Sequence, residues 1–164
     1  MNGKNWWSTN PPAEFAYDNN GHLIANTLNV KFKKLYSDAV APSYAKDGDA
    51  GLDLTATHMT WDGAYIEYGT GIAVEIPNGY VGFVFPRSSV SKKENFYLKN
   101  AVGVIDSGYR GEIKLRFNKS DEHYQPGEKI GQLIIMPYPT IHLQEVEELS
   151  NTDRGNGGFG STGS

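Results

Sequence analysis

An all-β fold is what this sequence predicts, a single domain of short strands closed into an antiparallel or mixed β-barrel. Segments that alternate apolar and polar residues, or that are apolar throughout, recur from Val30 to Leu149, and both patterns are strand signals. Turn residues bound each of them, and the 19 glycines and 8 prolines suffice to separate many strands. No helical period lasts beyond a few turns, which leaves a sandwich or barrel as the architecture.

In chain order, residues 1–29 read as an N-terminal extension of unknown role, rich in Asn and broken by Pro11-Pro12. Trp6, Trp7, Phe15 and Tyr17 are amphipathic aromatics of the kind favoured at interfaces, so one reading is an arm that contacts a protein partner and the other a weakly ordered arm. The core, residues 30–149, opens with the alternating run Val30–Leu35 and a turn at Lys46–Asp49. In Ala50–Ala56, Leu52 and Leu54 can face a core while Asp53 points the other way. Asp47, Asp49 and Asp53 match no metal-binding loop and read as turn and strand-edge residues.

Gly71–Phe85 reads as two strands joined in a hairpin at Pro77-Asn78-Gly79. Pro86 then stops the ladder and presents Arg87 and Ser88 at a strand end. Ala101–Ile105 and Ile113–Phe117 read as a further hairpin around Asp106-Ser107-Gly108-Tyr109. The mouth of such a hairpin offers backbone N–H and C=O groups to the edge of a flat heterocycle, with the Asp106 carboxylate beside it. Lys129–Met136 resumes an apolar strand in which Gln132 either satisfies neighbouring backbone or faces a ligand. His142–Leu149 reads as a final strand. Residues 150–164 resemble a flexible linker in their glycine content, but Arg154 and Phe159 suggest a glycine-rich lid, whose backbone and hydroxyls can wrap phosphate oxygens while Arg154 adds a forked donor and Phe159 can stack on a base.

Composition removes several functional classes. Without cysteine there are no disulfides, thiolate metal sites or cysteine nucleophiles. A formal charge of -4 argues against nucleic acid polymers as partners. No apolar run approaches a membrane span, and Met1–Ser8 lacks the apolar core of a signal peptide, so a soluble, cytoplasmic protein is expected. His22, His58, His123 and His142 are too scattered for a metal site, and Ser88 lacks a nucleophile-elbow context.

Five segments in order then carry a resemblance. They are Ala50-Gly-Leu-Asp-Leu-Thr-Ala56, Pro86-Arg-Ser-Ser89, Gly103-Val-Ile-Asp-Ser-Gly-Tyr-Arg-Gly111, Gly127-Glu-Lys-Ile-Gly-Gln-Leu133 and Arg154-Gly-Asn-Gly-Gly-Phe-Gly-Ser-Thr-Gly163. Together they resemble the five motifs of the trimeric dUTP pyrophosphatases (dUTPases). The resemblance implies a jelly-roll-like homotrimer with the C-terminal tail exchanged onto a neighbour, hydrolysing dUTP to dUMP and pyrophosphate. It implies Mg²⁺ as cofactor, held mainly through the triphosphate and waters rather than by protein ligands. Asp106 would orient and deprotonate the attacking water, assisted by Gln132. Asn100 and the backbone of Gly103, Val104 and Ile105 would read uracil, and Tyr109 would lie against the deoxyribose. Arg87, Ser88 and Ser89 would meet the α- and β-phosphates, with Ser88 near the bond that breaks and Asp53 in support. From the tail, Arg154, Gly160, Ser161 and Thr162 would clasp the γ-phosphate, and Phe159 would stack on the base.

Ser89 stands where that family usually has glycine, and with Ser107-Gly108 it resembles the related dCTP deaminases. The alternative is therefore a deaminase, or a bifunctional deaminase and dUTPase. Arg116 disfavours it, because deaminases carry a glutamate base there and an arginine cannot take that role. A third reading is a dUTPase-fold regulatory protein that binds a partner through its N-terminal arm.

Overall fold

The computed structural model describes residues 27–158 and, further toward the N-terminus, the backbone of two short strands. Those are β1 (Ala16–Tyr17) and β2 (Leu23–Ile24), which pair with each other. The core strands are β3 (Lys31–Lys34), β4 (Leu52–Thr55), β5 (His58–Asp62), β6 (Tyr65–Gly69), β7 (Ile72–Glu75), β8 (Tyr80–Pro86), β9 (Gly103–Ile105), β10 (Lys114–Asn118) and β11 (Lys129–Pro137). Every pairing among them is antiparallel. The only helical turn among the described core residues is a 3₁₀ segment, Ser88–Lys92.

Three sheets enclose the core: β4-β11-β8-β9, β10-β6-β5 and the pair β3-β7. The ladders between described strands leave sheet edges open and do not run on into one closed ring. Alternation decides what each strand buries. In β10, Leu115 and Phe117 are buried while Lys114 and Arg116 face out. Across the layers, Leu115 packs so closely on β11 that a Cβ at Gly131 would lie 2.6 Å from its Cδ2, which is why residue 131 has no side chain. Aromatic rings fill one end: Phe96 stacks on Phe117 at 4.5 Å, and Tyr68 meets Phe117 edge-on at 5.8 Å. The Tyr68 hydroxyl donates to the Tyr124 carbonyl at 2.9 Å, and burial pushes its pKa up to about 12.

Three expectations about pairing are corrected. The turn at Pro77-Asn78-Gly79 exists, with Tyr80 N–H donating to Pro77 C=O and Gly79 at φ 84°. Yet it joins no hairpin, because β7 pairs with β3 and β8 with β11 and β9. It is a corner where the chain changes sheets. The central hairpin is likewise absent: β9 lies on β8 and β10 on β6. What meets β10 from the preceding chain is the stretch around Leu98, bridged to Phe117, with Lys99 N–H donating to Arg116 C=O. Finally, His142–Leu149 forms no strand in this chain, and Ile141, Leu143 and Leu149 stand exposed.

Candidate active site

Asp53 gathers the first group of site residues. On β4 it stands opposite Gln132 of β11, and Gln132 in turn pairs with Phe85 of β8, two residues before Arg87. Its carboxylate is only 4% exposed. Lys129 Nζ donates to Oδ2 at 2.7 Å, Gln132 Nε2 to Oδ1 at 3.4 Å, and Arg87 Nε lies 3.6 Å from Oδ1. A buried carboxylate needs such partners, since an unpaired one would be very costly. Two cations against one carboxylate leave a net positive patch, and beside it the exposed Ser88 begins the 3₁₀ turn. Such a patch suits phosphate oxygens. Ser89 differs from Ser88: its hydroxyl lies 3.0 Å from the buried Tyr124 hydroxyl.

The second group surrounds a cavity of about 270 Å³. β9 forms one wall and, among the described strands, pairs only with β8, so the N–H and C=O groups along its other edge have no ladder partner there. Asn100 lies at one end of this wall, in a turn that holds Ala101 at φ 56° and Val102 N–H on Asn100 C=O. Asp106 lies at the other end and is exposed. The turn Asp106-Ser107-Gly108-Tyr109 closes as the sequence predicts, through Tyr109 N–H to Asp106 C=O at 3.0 Å. Arg110 locks it by donating to the Ser107 and Tyr109 carbonyls at 2.6 and 2.8 Å. Tyr109 also lines the cavity.

The two groups do not meet within one chain. Ile105 pairs with Gly82, and Arg87 lies five residues further along the chain that β8 begins, or about 17 Å at strand rise. Gln132, opposite Phe85, is toward the Arg87 end. None of the residues around the cavity belongs to the Asp53 cluster. Arg154 is exposed and donates to Gly157 C=O at 3.1 Å. Phe159, Gly160, Ser161 and Thr162 lie outside the described residues.

Three charged residues at these sites are missing from the sequence reading. Lys129 carries a signal in hindsight, a lone cation entering a strand that buries both Ile130 and Leu133. Glu112 and Lys114 border the cavity beside β9. Lys114 also pairs with Glu67 at 2.9 Å, and nothing in its alternating strand distinguishes it from a solvated lysine.

Among the described residues, no three His, Asp or Glu side chains converge to hold a metal ion, and Asp53 is already engaged by Lys129. No helix among these residues is long and apolar enough to cross a membrane.

Comparison with known proteins bears on the family of the chain. The dUTPase family profile matches residues 37–163. The deoxyuridine 5'-triphosphate nucleotidohydrolase of Cutibacterium acnes is 43% identical over 130 residues, 74% of this chain and 84% of that protein. The protein of the same name from Clostridium acetobutylicum is 41% identical over 141 residues, 83% of this chain and 97% of the other. Among solved structures, the Staphylococcus bacteriophage 80alpha dUTPase with dUpNHpp is similar at a TM-score of 0.72 and 29% identity, covering 84% of this chain and 100% of that one. A mutant dUTPase from phage phi11 of S. aureus, described with a structural Mg(II) ion, is similar at a TM-score of 0.62 and 25% identity over 74% of this chain and 98% of its own.

Proposed function

The chain belongs to the dUTPase family, and on that premise we propose that it hydrolyses dUTP to dUMP and pyrophosphate. The observation that carries the reading is the cavity along the free edge of β9, with Asp106 at its end and Tyr109 in its lining. Uracil lies along that edge, its polar atoms paired with β9 backbone and Asn100, and the deoxyribose rests against Tyr109. Asp106 takes a proton from a water as its oxygen bonds to the α-phosphorus. The bond from that phosphorus to the α,β-bridging oxygen breaks, and pyrophosphate leaves. Phosphoryl chemistry of this kind asks for alignment and charge stabilisation more than for covalent help. Arg87 and Ser88 hold the α- and β-phosphates, with Lys129 and Asp53 fixing the arginine and Gln132 directed to the water. When bound with the nucleotide, Mg²⁺ supplies further neutralisation of phosphate charge.

A homotrimer completes the site. Asp106 and Arg87 stand too far apart in one chain to act on one phosphate, so each site combines the nucleoside cavity of one copy with the Asp53 cluster of another, and the lid of residues 150–164 closes from a neighbour. Two surface features support association. An apolar groove of about 550 Å³ runs beside β3, lined by Val30, Phe32, Tyr44, Leu52 and Ile135 among others. The exposed segment bearing Ile141, Leu143 and Leu149, which forms no strand within this chain, offers apolar side chains that such a groove can cover.

The test is product analysis after incubation with Mg²⁺ and dUTP, dCTP, dTTP or UTP. The expected outcome is dUMP and pyrophosphate from dUTP alone, with Asp106→Asn lowering the rate roughly 10²- to 10⁴-fold as loss of a general base does. Ammonia release from dCTP would instead favour the deaminase, and no turnover of any nucleotide would favour a purely regulatory role.

A further inference from the structure

Tyr109 stands between the nucleoside cavity and Gly111. Tyr109 lines the cavity, whereas Gly111 lies outside the lining. A Cβ built on Gly111 would fall 2.6 Å from the ring Cζ, well inside contact distance. The hydroxyl reaches over the glycine and donates to the Glu112 carbonyl at 2.9 Å.

That carbonyl belongs to rigid backbone. The Glu112 carboxylate accepts the Gly71 N–H at 2.7 Å. The next residue, Ile113, is fully buried and donates to Ile72 C=O at 2.8 Å. Its own carbonyl accepts from the Thr70 N–H at 3.2 Å and the Thr70 hydroxyl at 2.8 Å. The phenol is therefore anchored at its far end to a fixed acceptor, and it can lie there only because residue 111 has no side chain.

We propose that Gly111, with the Glu112 carbonyl, positions the Tyr109 ring and so sets discrimination between deoxyribo- and ribonucleoside triphosphates; this rests on the functional reading above. A methyl group at 111 occupies the space of the phenol end and breaks its bond to the Glu112 carbonyl. What yields is the end of an exposed side chain, not backbone, so the fold tolerates the change while the ring shifts. Rejection of a 2′-hydroxyl depends on where that ring stands, and displacements near 1 Å can cost as much as about a hundredfold in such sites.

The experiment compares kcat/KM for dUTP and for UTP in the wild type, Gly111→Ala and Tyr109→Phe, with thermal unfolding of each. Gly111→Ala is expected to lower the dUTP-to-UTP ratio at least about tenfold with a melting temperature near that of the wild type. Tyr109→Phe, which removes only the donor to Glu112, shifts the ratio in the same direction and stands in should Gly111→Ala fail to fold. A wild type that prefers dUTP, with that ratio preserved in the folded variants, overturns the positioning role alone. A wild type that does not prefer dUTP overturns the functional reading and this one with it.

Discussion

Asp53 has almost no contact with water, and its partners Arg87, Lys129 and Gln132 converge on it from two other strands or their ends. Its carboxylate is what allows two cations to sit together beside Ser88. In Asp53→Ala the cations lose their shared counter-charge, but both reach solvent, so the cost should fall to about 1–3 kcal/mol, below that of breaking a fully buried pair. Urea unfolding should show this as a lower midpoint with an unchanged slope. Phosphate alignment should suffer as well, which predicts a larger loss in kcat/KM than stability alone explains. The placement of Arg87 at a strand end is legible in the sequence because Pro86 ends its strand. The partnership of Lys129 with Asp53 is not, because it depends on a cross-strand register with a bulge between Lys129 and Gly131.

Strands themselves are easy to read from the chain, and their neighbours are not. Alternation in Lys114–Asn118 states which side chains face the core. It says nothing of which strand lies alongside, since ladder hydrogen bonds run in the sheet plane, at right angles to the side chains. Hence β9 and β10, adjacent in sequence and joined by a good turn, look like a hairpin yet belong to different sheets. On the outer face of the sheet β10-β6-β5, Glu67 binds Lys114 Nζ at 2.9 Å and Arg116 Nε at 2.6 Å. The Lys114 ammonium, and Arg116 after it, hold the Glu67 carboxyl below its usual pKa, while Glu67 raises that of Lys114. A depressed carboxylate stabilises the fold above its unfolded pKa, about 4.3, and loses that contribution as pH falls through the lower folded value. The lysine contribution is lost only as pH rises through its raised pKa, above about 10.4. Both cations are substantially exposed, so solvent screening limits the effect. Glu67→Gln should then cost about 1 kcal/mol at neutral pH. Calorimetry should record a fall of roughly 2–4 °C at pH 7 that shrinks as pH falls through the lowered pKa of Glu67 and vanishes below it, where the wild-type carboxyl is protonated too.

For the whole molecule, the strand register carries the strongest functional consequence. Asp106 and Arg87 lie toward opposite ends of the chain's own β8, so the proposed reaction requires that copies contribute different halves of one site. Arg87→Ala disables the phosphate half and Asp106→Asn the nucleoside half, and each variant alone should be nearly inactive. Unfolded together in equal amounts and refolded, they should assort at random into mixed trimers. Any site that takes its nucleoside half from an Arg87→Ala subunit and its phosphate half from an Asp106→Asn subunit has both halves intact. Random assortment makes that roughly one quarter of the sites. Activity returning to about that fraction of a refolded wild-type control is the expected outcome, measured as pyrophosphate release from dUTP. Should the halves come instead from a single chain, every subunit in the mixture carries a lesion and no mixing ratio restores turnover.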